Sequence, residues 1–222
     1  MGVHGGPDIV EDGLIFAVDA GNGQSYVSAS LDTFSLVSST TGSLINDVSG
    51  SMGSKDSWDF DGTDDYIDCG DISTLNAAST LSLSFWGKKA TGDILGIEAF
   101  NTATNKIILY WWSTDTMYWG VRNTGTPTAA SSALADFSNW HHFAGTYEGS
   151  SGTIKLYVDG SLVDTETGAP AATTDLSSYF KIAKANGTSF GTGQISNVQL
   201  YNKSLTAAEV LQNYNATKER FI

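Results

Sequence analysis

The sequence predicts an all-β, antiparallel fold with one short helix near the C-terminus. Three observations carry this. Short apolar runs recur along most of the chain, several of them alternate apolar and polar residues with period two, and Gly-bearing turns separate them. In Leu81-Ser82-Leu83-Ser84-Phe85-Trp86, Leu81, Leu83 and Phe85 share one face and the serines lie on the other. In Ile154-Lys155-Leu156-Tyr157-Val158, Ile154, Leu156 and Val158 point one way while Lys155 and Tyr157 point the other. Such alternation marks an antiparallel sheet with one buried face, and many short strands with regular turns make a sandwich or a barrel.

Taken in order, the strand-like runs are Leu14–Asp19, Trp58–Phe60, Asp65–Cys69, Leu81–Lys88, Ile107–Trp112, Met117–Arg122, His141–Tyr147, Ile154–Val158, Ser161–Thr165, Phe180–Ala183 and Gln194–Tyr201. Val158-Asp159-Gly160-Ser161 sets Asp-Gly between two of them, a strong hairpin signal, and Phe60-Asp61-Gly62-Thr63 is a second such turn. The stretch from Ser25 to Asp56 is weakly patterned and Ser/Gly-rich, and reads as a long loop or a pair of edge strands. Thr206-Ala207-Ala208-Glu209 fits a capping box, a hydroxyl for a free amide and a glutamate that reaches back. Val210, Leu211 and Tyr214 follow at helical spacing, so a short helix is expected over 207–214. No composition break marks a linker, so 1–222 is read as a single domain, with 1–12 as an extended N-terminal arm.

Composition narrows the function. Lys+Arg number 11 against 24 Asp+Glu, a net charge of −13. A surface of that sign repels phosphate backbones and anionic lipid, which argues against nucleic acid and membrane as partners. Only 16% of residues are charged while 41% are hydrophobic, which fits neither a disordered acidic tail nor a coiled coil. The lone Cys69 excludes an internal disulfide framework and a cysteine-based zinc site; with no cation beside it in sequence, it reads as a small buried apolar side chain. Met1-Gly2-Val3-His4-Gly5-Gly6-Pro7 has neither a basic nor an apolar leader region, and no apolar run approaches the ~20 residues of a membrane span. The expectation is a chain made and folded in a cytoplasm, with the sequons at Asn186, Asn202 and Asn215 as products of composition.

Five segments together resemble a known family. Trp58-Asp59-Phe60-Asp61-Gly62-Thr63-Asp64-Asp65-Tyr66-Ile67, Leu81–Lys88, Trp140-His141-His142-Phe143-Ala144-Gly145-Thr146-Tyr147, Ile154–Gly160 and Phe190–Val210 are similar, in this order, to the motifs of laminin-G-like, concanavalin A-like jelly rolls. The resemblance implies a β-sandwich. The two ends carry a narrower likeness. Pro7–Asn22 with Ser25-Tyr26, and Leu211–Lys218, resemble the ends of laminin-G-like structural proteins of tailed bacteriophages, whereas the Trp-x-Asp-hydrophobic-Ser-Gly stretch those proteins carry after the position of Tyr26 is not evident here. The implied role is a non-enzymatic virion structural protein, on the head exterior or in the tail or fibre, that partners other virion proteins or itself. The alternative is a calcium-dependent bacterial lectin or adhesin.

Candidate site residues follow from chemistry. Glucanases of this fold use Glu-x-Asp-x-Glu along one strand, and retaining hydrolysis needs two carboxylates about 5–5.5 Å apart. Glu11, Glu98, Glu148, Glu166, Glu209 and Glu219 show no such pairing, with Glu98 alone suited to a strand facing a groove. Gly187-Thr188-Ser189-Phe190-Gly191 matches a nucleophile elbow, but a strand rather than a helix follows, so these are read as turn glycines. Adjacent His141 and His142 face opposite ways on a strand, one inward and one outward. Aspartates crowd from Asp56 to Asp71; hard carboxylate oxygens suit calcium, and Asp64 and Asp65 are the expected ligands. Asp61 reads more simply as a turn former. Trp58, Trp86 and Trp140 fall in family core motifs and are expected in the core. If Ile107, Leu109 and Trp111 face the core, then Ile108, Tyr110 and Trp112 face outward. Tyr110 and Trp112 would then bind carbohydrate, such as a cell-surface glycan, or a second subunit.

Overall fold

The structure, a computed structural model, describes residues 8–27, 30–51, 56–89, 93–102, 105–123, 128–174, 176, 179–185 and 188–222. In chain order the strands are β1 (Leu14–Val18), β2 (Asp32–Phe34), β3 (Thr41–Ile45), β4 (Ser49–Ser51), β5 (Ser57–Asp61), β6 (Tyr66–Asp68), β7 (Thr80–Lys88), β8 (Leu95–Thr102) and β9 (Asn105–Trp111). There follow β10 (Thr116–Asn123), β11 (Thr128–Ala133), β12 (His141–Glu148), β13 (Thr153–Val158), β14 (Ser161–Thr167), β15 (Tyr179–Ile182), β16 (Lys184–Ala185), β17 (Ser189–Phe190) and β18 (Thr192–Tyr201). Helix α1 (Ala207–Thr217) and a 3-10 turn, Lys218–Arg220, close the chain.

Two antiparallel sheets form a sandwich. The first orders β14-β13-β12-β7-β18-β5-β4, with β1 also paired to β18; the second orders β11-β10-β9-β8-β15-β6-β3-β2. Each run expected from alternation is a strand. The weakly patterned stretch from Ser25 to Asp56 supplies β2 and β3 at one edge of the second sheet and β4 at the edge of the first. The long β18 serves two partners on one side, β5 along its first half and β1 along its second. Its ladder with β7 is interrupted between Ser196 and Gln199, where Asn197 takes a left-handed φ of 49°.

Between the sheets, Leu83, Phe85, Phe143, Leu156 and Leu200 of the first interdigitate with Ile97, Leu109, Trp111, Trp119 and Phe180 of the second. Trp111 meets Phe143 edge-to-face at 5.0 Å. Trp119 lies against Gly145 of β12, where an added Cβ would come within 2.1 Å of the indole, so only glycine admits the ring. The hairpin Asp159-Gly160 has φ of 49° and 75°, the paired left-handed residues of the expected two-residue turn.

The outer face of the first sheet is covered over its central strands. Thr206 accepts from the Glu209 amide and Glu209 reaches back to the Thr206 amide, so the expected capping box starts α1. The helix runs to Thr217, past the expected 214. Val210 packs with Ala144, Tyr157, Tyr201 and Leu205. Trp58 lies in the inter-sheet core. Trp86 and Trp140 are buried too, but in a separate cluster with Phe221 outside the sandwich core. Trp86 is Phe85's neighbour on β7, so it faces the other way, and the C-terminal segment covers it: Phe221 stacks on Trp86 at 4.5 Å and Trp86 Nε1 donates to Thr217 Oγ1 at 2.8 Å. Residues 8–10 also lie here: the Val10 amide donates to Asn213 Oδ1 (2.8 Å) and Gln212 Nε2 to the Asp8 carbonyl (2.7 Å). Of the expected arm of residues 1–12, therefore, the part from 8 onward rests on the helix, and 1–7 lie outside the described residues. No helix among the described residues is long and apolar enough to cross a membrane.

Candidate functional site

The outer face of the second sheet carries a different chemistry. Alternation in β8, β9 and β10 sends Ile97, Leu109 and Trp119 inward and leaves Glu98, Ile108, Tyr110, Gly120 and Arg122 outward. The register lines up Gly120 with Ile108, Ile108 with Glu98, and Glu98 with Lys181 of β15. One step along, Arg122 faces Lys106. The small β16–β17 pair supplies a wall through Ala185. The result is a cavity of about 130 Å³ lined by Glu98, Lys106, Ile108, Tyr110, Trp112, Gly120, Arg122 and Ala185. Its surface is mostly apolar with a few polar groups, the usual composition of a small-ligand site.

Tyr110 and Trp112, the aromatics expected outward, both line this cavity. Their rings sit 5.3 Å apart, tilted. Trp112 is half-buried, but Tyr110 is fully buried although it points away from the core. Its hydroxyl has no hydrogen-bond partner among the described residues. Burial first, and then the Glu98 charge, push this phenol well above its ordinary pKa. It therefore stays protonated and presents a donor to the cavity. Glu98 is 1% exposed and pairs with Lys106 at 3.0 Å; Trp112 and Ile108 supply apolar wall. Alternation alone pointed to Tyr110, Trp112 and a groove-facing Glu98. Lys106 was missed although it shares the parity of Ile108 and Tyr110; Arg122 was not legible, because the parity of Met117–Arg122 is fixed only by its register with β9. A second hollow of about 270 Å³, against the first sheet, is lined by Thr146, Glu148, Thr153 and Lys155 among others and has no aromatic wall.

The aspartates expected to bind calcium converge in the β5–β6 turn. One carboxylate oxygen from each of Asp61, Asp64 and Asp65 lies within 4.8 Å of the other two. Asp65 is buried and braces the turn, accepting from the amides of Asp47 (3.1 Å) and Asp61 (3.3 Å). Asp61 also forms its turn, accepting from the Thr63 amide at 2.7 Å. Burial, then the charges of Asp61 and Asp64, raise the Asp65 pKa. The donor set is all hard oxygen and like-charged, which fits a divalent cation.

The family model for the concanavalin A-like lectin/glucanase superfamily matches residues 61–211, well over half of the chain. The chain belongs to this superfamily. Solved structures agree on the fold. The binding domain of Botulinum neurotoxin DC in complex with rat synaptotagmin II superposes with a TM-score of 0.74 at 11% identity, over 92% of this chain and 51% of that one. A structure of botulinum neurotoxin type C, described as dependent for cell entry on two ganglioside molecules, gives 0.71 at 12% identity, over 92% and 51%. The receptor-binding domain of the botulinum neurotoxin C/D mosaic serotype gives 0.73 at 13%, again over 92% and 51%. The chain thus spans about half the length of these structures. The sequence matches none of the curated proteins.

The superfamily includes lectins and glucanases, so the remaining candidates matter. Glu98 is the one carboxylate among the cavity's lining residues, and its near neighbour is a lysine rather than a second acid. Ser189 sits in strand β17 rather than in the expected turn, and β18 rather than a helix follows it; Gly187 lies outside the described residues. His141 and His142 diverge as alternation requires. His141 contacts Trp111 and Phe143 and bonds Asp159 at 2.8 Å, which raises its pKa. His142 is sealed beside Trp86 and Tyr214, and burial lowers its pKa to about 4. Cys69 is buried with its thiol pKa raised by burial, an inert side chain. Asn186 lies outside the described residues.

Proposed function

We propose that this superfamily member is a non-enzymatic recognition domain that binds carbohydrate on the outer face of its second sheet. The observation that carries this is the cavity beneath Trp112, where a buried Tyr110 hydroxyl lacks a partner beside the Glu98–Lys106 pair. An aromatic wall with a few fixed polar groups suits a sugar ring, whose faces are apolar and whose rim is hydroxyl. A lone carboxylate already answered by lysine suits hydroxyl recognition and does not supply the acid pair of a retaining glycosidase. Among the neurotoxins that share the fold, one is described as dependent on gangliosides for cell entry and one binding domain as in complex with synaptotagmin II, so the fold is compatible with a glycan or a protein partner. A glycan array on the intact chain tests the reading. Saturable binding to a defined glycan without cleavage is expected, and sugar release would overturn it.

The setting we propose is a virion surface. The two ends that resemble tailed-phage structural proteins meet on the first sheet, through Asp8, Val10, Gln212 and Asn213. Attachment through that side would leave the cavity face outward. Immunogold labelling of particles is the expected result; labelling confined to a bacterial envelope would favour the adhesin alternative. Calcium at Asp61, Asp64 and Asp65 belongs to the same reading. Calcium should raise the melting temperature at pH 7 and Asp65→Asn should remove the effect; no calorimetric heat would discard the ion.

A further inference from the structure

Among the described residues that line the cavity, one buried polar atom has no hydrogen-bond partner, the Tyr110 hydroxyl. Burial and the nearby Glu98 charge keep this phenol protonated, so it acts as a donor. The charged groups around it are already answered. Glu98 and Lys106 hold each other at 3.0 Å, and Arg122 has an interaction of its own. The rest of the lining is apolar, the Ile108 and Ala185 side chains and the Trp112 ring, and Gly120 adds no side chain. A charged ligand group would be buried here without a counter-charge that still needs one, which is costly. A sugar hydroxyl fits poorly too, because two hydroxyls that meet share one bond and leave one hydrogen with no acceptor between them. A carbonyl oxygen meets a phenol with no hydrogen left over. The volume of about 130 Å³ equals that of about four waters, and a cavity of that order holds a group of about four to six non-hydrogen atoms. That is the size of a substituent on a sugar and not of the ring.

Resting on the carbohydrate reading above, we propose that the cavity takes the acetyl group of an acetylated sugar. The Tyr110 hydroxyl donates to the acetyl carbonyl, and so gains the partner it lacks. The methyl packs against Ile108 and Ala185. The sugar ring lies on Trp112, which is half-buried where Tyr110 is fully buried. Amide-linked and ester-linked acetyl groups share this carbonyl and this methyl, so both are ligands of the stated chemistry. Specificity follows from the same contact. An analogue without the carbonyl leaves the phenol as unpaired as before and draws no affinity from it.

The test is calorimetry on the intact chain with matched oligosaccharides. They end in an N-acetylhexosamine, an O-acetylated hexose, the N-formyl counterpart that lacks the methyl, or the plain hexose. The acetylated sugars should bind about tenfold tighter than the hexose, with the formyl sugar between them. A preference confined to one of the two acetylated sugars would identify the linkage and uphold the inference. Tyr110→Phe should erase most of the preference and leave hexose binding unchanged. It should not lower Tm, because the lost hydroxyl has no partner to lose. Equal binding of acetylated and plain sugars would overturn this inference and leave the carbohydrate reading standing, as would a preference that survives intact in Tyr110→Phe. No binding to any glycan, acetylated or plain, would overturn both. The comparison of ligands uses the unaltered protein, so it decides against the inference even where the variant fails to fold.

Discussion

His142 is held neutral between Trp86 and Tyr214 under the C-terminal helix. Its folded pKa near 4 lies below the ordinary 6.5. Between those values the unfolded chain binds the extra proton, so this residue makes stability rise with pH from about 4 to 6.5. A shift of this size corresponds to roughly 3 kcal/mol. His141 acts in the opposite sense, because Asp159 raises its pKa and its contribution is lost as pH climbs through the folded value. His142→Phe keeps the ring and removes the titration. Urea unfolding at pH 7 and pH 4 should show the variant gaining roughly 3 kcal/mol on wild type as pH falls; a pH-independent difference would contradict the account. Asp19 is a second case. Burial opposes its ionisation, yet Arg220 grips both oxygens at 2.6 and 2.8 Å and the pKa falls. Its stabilising effect is present above the ordinary carboxylate pKa and lost as pH drops through the lowered value. Arg220→Ala should cost about 2 kcal/mol at pH 7, below the range for fully buried pairs because the guanidinium is about a quarter exposed.

Helix α1 is the element on which the covered face depends. Thr206→Ala removes one half of the capping box and should cost about 1 kcal/mol, a fall of about 2–4 °C in Tm for a chain of this size. Differential scanning calorimetry checks this; an unchanged Tm would mean that packing of Val210 alone holds the helix. This helix was legible from Thr206-Ala207-Ala208-Glu209, as were the alternating strands, because each pattern follows a period that local geometry imposes. Other elements left weaker signals. In β8, Leu95, Ile97 and Ala99 do alternate with Gly96, Glu98 and Phe100, but glycine, alanine and glutamate favour strands little. In β11, Thr-Ala-Ala-Ser-Ser-Ala has no large apolar residue, and its place is set by pairing with β10. Parity put Tyr110 and Trp112 on the outer face, yet the cavity they line is completed by residues distant in sequence, including Ala185 of β16. Likewise Trp86 and Trp140 needed the C-terminal segment to be seen outside the sandwich core. The convergence of Asp61, Asp64 and Asp65 was partly legible, because a tight turn keeps its own side chains close.

At the scale of the whole molecule the two outer faces divide their work. One is covered over part of its area by the chain's ends, with Trp86, Trp140 and Phe221 packed beneath them. The other carries the cavity and a concentration of cationic and aromatic side chains on a protein of net charge −13. The recognition account places ligand binding on the second face alone, with Trp112 as its half-exposed aromatic wall. The most direct measurement is calorimetric titration of the strongest array glycan into wild type and Trp112→Ala, with circular dichroism confirming the fold. The account predicts an affinity loss of about tenfold or more, equivalent to about 1.4 kcal/mol. An unchanged affinity in the folded variant would place the ligand elsewhere and contradict it.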